Sequence, residues 1–144
     1  SDLRAWMNGD FYDGAFTPVQ RGLIEMVHNE NADQSITGAS GGAATDDRVF
    51  ALSETESVIY LNTPAARSDI GAAPASVSAA AGPLSVSEDG TADWWLRSPG
   101  TYGFATQFVD ASGVPSLSGA NVDLQYGVRP ALWINVEGAG EESR

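Results

Sequence analysis

Two short apolar blocks, each holding an arginine and a proline, constrain the fold of this 144-residue chain more than any other feature. They are residues 94–100 (WWLRSPG) and residues 127–133 (GVRPALW). An arginine inside a strand-like run needs acceptors such as backbone carbonyls or a carboxylate, and a proline restricts the run to a bulge or a sheet edge. The residues between the blocks are rich in Gly, Ser and aromatic side chains. The pattern predicts two structurally fixed segments that flank a segment with fewer constraints on its sequence.

The charge balance narrows the classes of partner. The chain has 19 acidic and 7 basic residues, no Lys, and a net charge of -12. This charge repels phosphate backbones, so we expect no binding to nucleic acid. No apolar run approaches the roughly 20 residues that span a bilayer, so we expect no membrane insertion. The length fits one domain, which we place at residues 1–136, followed by a flexible tail at 137–144.

Local patterns predict an α+β fold, in which two helices pack on a small, twisted, mostly antiparallel sheet with long irregular loops. Capping boxes are expected at Thr17 with Gln20 and at Ser53 with Glu56. The sequence Ala111-Ser112-Gly113 is a hairpin signal, and Pro115 restricts the returning strand to an edge. Other predicted elements are a helix near residues 3–11 shortened or broken by Gly9 and Gly14, strands at 26–30, 48–52, 94–97, 104–110 and 128–136, and loops at 31–47 and 63–93.

The missing residue types exclude several chemistries. Without Cys or Lys the chain has no thiol nucleophile, no Schiff-base lysine and no phosphate-binding P-loop. Its single histidine, His28, is expected at the surface. Residues 88–90 with Asp93 are a weak calcium candidate, and we expect no metal and no cofactor. A pair of carboxylates could still act as acid and base, so a carboxylate-dependent glycan-processing enzyme remains an alternative.

The segment 101–126 is the candidate binding region, because aromatic residues among small polar ones are typical of recognition surfaces. In its strand, Phe104, Thr106 and Phe108 share one face, and the opposite face is expected to point to the core. The alternative is that both phenylalanines pack under the long loop. The candidate ligand-binding residues are Thr101, Tyr102, Phe104, Thr106, Phe108, Asn121, Asp123, Gln125 and Tyr126.

The two blocks themselves are expected to form the scaffold of this region. Their large aromatics should lie in the core or be half-buried. Their arginines should bind neighbouring strands or loops, with direct ligand binding as the alternative. The scaffold residues are Trp94, Trp95, Arg97, Pro99, Arg129, Pro130 and Trp133.

Four motifs in order, at residues 1–9 (SDLRAWMNG), 50–54 (FALSE), 94–100 and 127–133, resemble a widespread bacterial and phage domain of unknown function. The resemblance implies a C-type-lectin-like fold, shared with formylglycine-generating-enzyme relatives and with the variable proteins of diversity-generating retroelements. Those variable proteins end in a mutagenised segment closed by a Gly-x-Arg-Pro-Ala-like strand, which here is residues 127–131.

This chain departs from the catalytic and calcium-binding members of that fold. It lacks the active-site Cys of formylglycine-generating enzymes, the several His of sulfoxide synthases and the calcium motifs of sugar-binding lectins. The resemblance therefore implies a non-catalytic domain that recognises a protein or cell-surface receptor and lies at an extracellular or virion surface. A structural accessory module of a cell-surface protein is the remaining alternative.

Overall fold

The computed structural model of the chain describes residues 1–68 and 91–137, and it is a mixture of short helices and small antiparallel sheets. The predicted α+β class is confirmed. The helical elements are α1 (Asp2–Trp6), a π-helical turn (Met7–Phe11), α2 (Tyr12–Ala15), α3 (Pro18–Leu23), α4 (Glu54–Tyr60) and α5 (Pro64–Ser68). The strands are β1 (Val27–Asn29), β2 (Thr45–Asp47), β3 (Trp94–Pro99), β4 (Ala105–Val109) and β5 (Pro115–Asn121).

Some predicted loops contain regular structure. The prediction of a loop at 31–47 is wrong at its end, where β2 pairs with β1. The predicted loop at 63–93 contains α5, and its residues 69–90 lie outside the described part of the chain. The predicted tail lies outside it too, apart from Glu137.

Both predicted capping boxes are confirmed. At the start of α3 the Gln20 amide donates to Thr17 Oγ1 over 3.2 Å, and the Thr17 amide donates to Gln20 Oε1 over 2.9 Å. Ser53 and Glu56 repeat the arrangement at α4, over 3.2 and 2.9 Å. Each box satisfies two amides that a helix start leaves without partners, so these short helices have fixed first turns.

The first helical stretch does not break at Gly9. It continues through the π-helical turn into α2, and Asn8 within that turn reaches outward. Asn8 Nδ2 donates to the Val49 carbonyl over 2.8 Å, and Asn8 Oδ1 accepts from the amides of Arg48 and Val49 over 2.8 and 3.1 Å. These long-range bonds connect the helix to the buried chain before α4.

The main sheet has the order β3-β4-β5, and both pairs of neighbours are antiparallel. Strands β4 and β5 form the predicted hairpin, with Gly113 in its turn at a φ of 84°. Pro115 begins β5 at the edge of the sheet, as predicted. Both pairings contain register shifts, and since β3 and β5 have the extra residues, the local bends lie in these two strands.

The prediction of a long strand at 128–136 is wrong. Two isolated bridges occur there instead, Phe50 with Ala131 and Ile24 with Ile134. Pro130 has no amide to donate, and the segment pairs with two different parts of the chain in turn, so no ladder forms. The predicted strand at 48–52 does not form either. Its residues Val49 to Leu52 are buried, but the segment pairs only through the single bridge at Phe50.

Two apolar clusters form the core of the described residues. One contains Phe50, Leu52, Trp94, Leu96 and Val109, and the other contains Met7, Val49 and Ala51. Residues 49–52 alternate between the two clusters, so this short segment connects them. The core therefore buries one face of β3 and Met7 of the π-helical turn.

Candidate functional site

The two blocks that flank the candidate region lie side by side. Trp94 and Gly127 form an isolated parallel bridge. The Trp95 amide donates to the Gly127 carbonyl over 3.0 Å, and the Gly127 amide donates to the Asp93 carbonyl over 2.7 Å. Trp94 is fully buried and Trp95 nearly so. The first residues of the two blocks are therefore held together by backbone hydrogen bonds.

Both block arginines bind groups of the chain itself. Arg97 Nη1 donates to the Ala51 carbonyl over 3.0 Å and forms an ion pair with the Glu56 carboxylate. Arg129 Nη1 donates to the carbonyls of Ala66 and Arg67, each over 3.1 Å. These acceptors are the carbonyls and carboxylate that an arginine among apolar residues requires.

Trp133 departs from the expected scaffold geometry. Its side chain is 48% exposed, although a core or half-buried position was expected. Its ring lies edge-on to Tyr60, with the centroids 5.9 Å apart. The chain after Pro130 pairs only through single bridges, and the Trp133 ring is not buried in the core. Pro130 itself is exposed, and Pro99 ends β3 half-buried.

Arg67 is a structural residue that sequence reasoning missed. It is buried, and it donates to the carbonyls of Gly113 and Leu61, both over 2.7 Å. Its own carbonyl accepts from Trp94 Nε1 over 2.8 Å. One feature of the sequence could have indicated this structural role, because Arg67 is the single basic residue between Arg48 and Arg97.

The predicted division of β4 into two faces is confirmed. Gln107 and Val109 are fully buried. On the other face, Phe108 lies opposite Trp95 of β3, and Thr106 lies opposite Ala120 of β5. Thr106 Oγ1 lies 2.8 Å from the Ser98 carbonyl and 3.2 Å from that of Leu96, so its hydroxyl is engaged by β3.

The aromatic residues of the candidate region separate into two groups. Tyr102 and Phe104 stack with their centroids 5.5 Å apart and their planes 15° apart, and they are 62% and 60% exposed. Phe108 and Tyr126 instead pack on Trp95, with centroid distances of 6.4 and 4.4 Å, and both are half-buried. Phe104 therefore points to solvent, whereas Phe108 packs against the sheet.

Of the remaining candidate residues, Thr101 precedes the stacked pair in the chain, and the others lie at or after the end of β5. The Thr101 amide donates to the Ser118 carbonyl over 2.9 Å, and Thr37 Oγ1 donates to the Thr101 carbonyl over 3.4 Å. The Phe104 carbonyl accepts from the Val122 amide over 3.2 Å, and Val122 is 63% exposed. Three candidates are exposed near the end of the hairpin, namely Asn121, Asp123 and Gln125.

A cleft of about 680 Å³ lies next to the stacked pair. Its lining includes Trp95, Arg97 and Thr106 of the sheet, together with Gly103, the residue between the two stacked rings. Arg4 and Asp47 also line it, paired over 2.6 Å from Nε to Oδ1. This volume is in the range of pockets that accept small molecules or side chains.

The electrostatics of the described surface are dominated by carboxylates. Of the seven basic residues, Arg144 lies outside the described part, and the other six all bind groups of the chain. Arg4 and Arg97 pair with carboxylates, while Arg21, Arg48, Arg67 and Arg129 donate to backbone carbonyls. The net charge of -12 already includes all seven arginines, and only Arg4 and Arg97 of the described six are paired with a carboxylate.

His28 is at the surface, as predicted, between two carboxylates. Its Nδ1 lies 2.8 Å from Asp46 Oδ1 and its Nε2 lies 3.3 Å from Glu30 Oε1. The hydrogen bond and charge of Asp46, with a smaller contribution from Glu30, raise the pKa of His28 above its ordinary value of 6.5. Within residues 1–68 and 91–137, no group of three or more His, Cys, Asp or Glu could hold a metal ion. Residues 88–90 of the calcium candidate lie outside that part.

Comparison with known proteins identifies one family. The family described as Domain of unknown function (DUF6273) matches residues 1–136. No curated protein and no solved structure matches the chain. No helix in the described ranges is long and apolar enough to cross a membrane.

Proposed function

This chain belongs to the DUF6273 family, and we propose that it is a non-catalytic recognition domain that binds a protein or cell-surface receptor through Tyr102 and Phe104. The stacked, exposed pair is the observation that carries the proposal. Two adjacent aromatic rings in water present a large apolar area, and aromatic side chains supply much of the binding energy at protein interfaces. The pair is therefore the preferred anchor for a partner.

The backbone around the pair supports this role because three hydrogen bonds fix it. The Ala105 amide donates to the Tyr102 carbonyl over 2.9 Å, which closes the turn between β3 and β4. The Val122 amide binds the Phe104 carbonyl, and Thr37 reaches the Thr101 carbonyl. A site that is ordered before binding loses less conformational entropy when its ligand arrives.

The proposal is tested by replacing the two rings. We expect Tyr102→Ala and Phe104→Ala each to weaken binding to a partner found on an array of bacterial surface proteins by about tenfold or more. Their melting temperatures should stay close to that of the unchanged chain, since both side chains are exposed. Val19→Ala is the matched control, because Val19 is a large exposed apolar residue on α3.

Phe108→Ala supplies the opposite control. Phe108 packs on Trp95 and Tyr126, so its removal should lower the melting temperature. If Tyr102→Ala and Phe104→Ala destabilise the domain as strongly as Phe108→Ala does, the pair has a structural role and the recognition proposal fails.

We further propose that the domain has a C-type-lectin-like fold and is a retroelement-diversified protein of a phage or bacterial surface, with 101–126 as its variable segment. Support comes from the position of that segment between two blocks joined by backbone hydrogen bonds, with its exposed side chains away from the core. Sequencing the genomic locus tests the idea. A nearby template repeat and reverse-transcriptase gene are expected, and their absence would exclude it.

A further inference from the structure

A second group of exposed apolar side chains lies outside the segment 101–126. Ile59 and Tyr60 of α4 are 63% and 53% exposed, and the edge-on contact of Tyr60 with Trp133 joins α4 to the C-terminal segment. We call these three residues the Tyr60–Trp133 patch. None of them lines the cleft beside Tyr102 and Phe104.

The backbone beneath the patch is fixed. The Glu25 amide donates to the Trp133 carbonyl over 2.9 Å, and the bridge between Ile24 and Ile134 follows directly. Helix α4 begins at a complete capping box, and the Leu61 amide closes its last turn on the Ser57 carbonyl. Exposed apolar side chains grouped on ordered backbone, with the rings of Tyr60 and Trp133 in contact, are typical of an interaction surface.

The charge around the patch indicates the chemistry of its partner. Glu25 and Glu137 are exposed carboxylates on the same backbone segments, whereas the nearby Arg48 is half-buried and donates to the Ile24 carbonyl over 2.9 Å. Two copies of a chain with a net charge of -12 repel each other, which disfavours self-association through this face. A partner with positive charge beside an apolar anchor is attracted instead.

We propose that the Tyr60–Trp133 patch docks a segment of a partner protein in which an apolar side chain is flanked by Arg or Lys. The apolar side chain packs against Ile59 and the two rings. The flanking cations face the carboxylates of Glu25 and Glu137. This surface is separate from the recognition site proposed above and does not depend on it.

The experiment is selection from a phage-displayed library of random peptides. The library is first depleted on the Ile59→Ser variant, which removes peptides that bind any other surface, and the remainder is selected on the unchanged chain. Selected peptides should contain a large apolar residue next to Arg or Lys. They should bind the Ile59→Ser variant about tenfold more weakly or worse, and bind the Val19→Ser and Tyr102→Ala variants as tightly as the unchanged chain.

Three results would overturn the proposal. One is that no peptide survives depletion although Ile59→Ser melts at the same temperature as the unchanged chain. Another is that the selected peptides have no excess of basic residues and their binding does not weaken with added salt. The third is that Tyr102→Ala abolishes their binding, which would place them on the recognition site instead.

Discussion

Arg129 lies over the ring of Trp94, with its guanidinium carbon 4.9 Å from the ring centroid. The same guanidinium and the indole Nε1 of Trp94 both donate to the Arg67 carbonyl. Trp94 of one block and Arg129 of the other therefore share one acceptor, the Arg67 carbonyl on α5. This convergence joins the two blocks that flank the candidate binding region, although they are distant in sequence.

Replacing Arg129 by Lys should lower the free energy of unfolding by about 1–3 kcal/mol, because an ammonium cannot reproduce the flat guanidinium over the ring while donating to two carbonyls. Urea denaturation measures the change. Arg21→Lys is the matched control, since Arg21 Nη1 also donates to two carbonyls, those of Asp13 and Phe16, but within the described residues it lies over no aromatic ring. An equal loss in both variants would contradict a special role for the contact with Trp94.

Asn8→Asp should destabilise the domain by about 2–4 kcal/mol, although the two side chains have nearly the same shape. Asn8 Nδ2 faces the carbonyls of Val49 and Arg4 and lies 3.3 Å from Asp47 Oδ1, so a carboxylate oxygen there would meet three acceptors. Thermal denaturation at neutral pH measures the effect. In the control Asn31→Asp, the amide donates only to the exposed Ala43 carbonyl, and we expect a much smaller change.

Two glycines with positive φ separate backbone strain from steric clash. Gly38 has a φ of 71° and open space where a Cβ would lie, so Gly38→Ala should cost about 1–2 kcal/mol from the left-handed conformation alone. Gly113 has a φ of 84°, and its Cβ would lie 2.0 Å from the Pro64 carbonyl oxygen. We expect Gly113→Ala to cost about 1–3 kcal/mol more than Gly38→Ala in urea denaturation. Equal costs would show that α5 moves freely away from the hairpin.

The environment of His28 predicts a dependence of stability on pH. Asp46 and Glu30 raise the pKa of His28 in the folded state, so its stabilising effect is fully present below 6.5, the ordinary value, and is lost as the pH rises through the folded-state pKa. The unchanged chain should therefore lose stability relative to His28→Gln as the pH rises above 6.5. Urea midpoints of both proteins measure the difference, and an NMR titration gives the pKa directly. A pKa below 6.5 would contradict the expected sign.

The features that could be predicted from the sequence are those that depend on neighbouring residues. The boxes at Thr17 and Ser53 are complete within four residues, and the hairpin signal ending at Gly113 lies in the turn that it encodes. The alternation that buries Gln107 and Val109 follows from the twofold period of a strand. In each case the pattern and its structural cause occupy the same short stretch.

The features that could not be predicted depend on distant partners. Residues 128–136 have the composition of a strand, but their pairing is set by where Phe50 and Ile24 lie. Arg67 and Asn8 bind carbonyls that are 46 and 41 residues away in the chain. Composition also could not distinguish Phe104 from Phe108, because only the position of Trp95 and Tyr126 decides which ring is covered.

The parallel bridge between Trp94 and Gly127 has a consequence for engineering. Since Trp94 and Gly127 already meet, the exposed turns between them can change in length and sequence while the sheet β3-β4-β5 and its buried residues are kept. Loop-closure entropy penalises such insertions weakly, at about 0.6 kcal/mol for each doubling of loop length. A graft that retains Gln107 and Val109, the buried residues of β4, would convert this domain into a carrier for foreign binding loops.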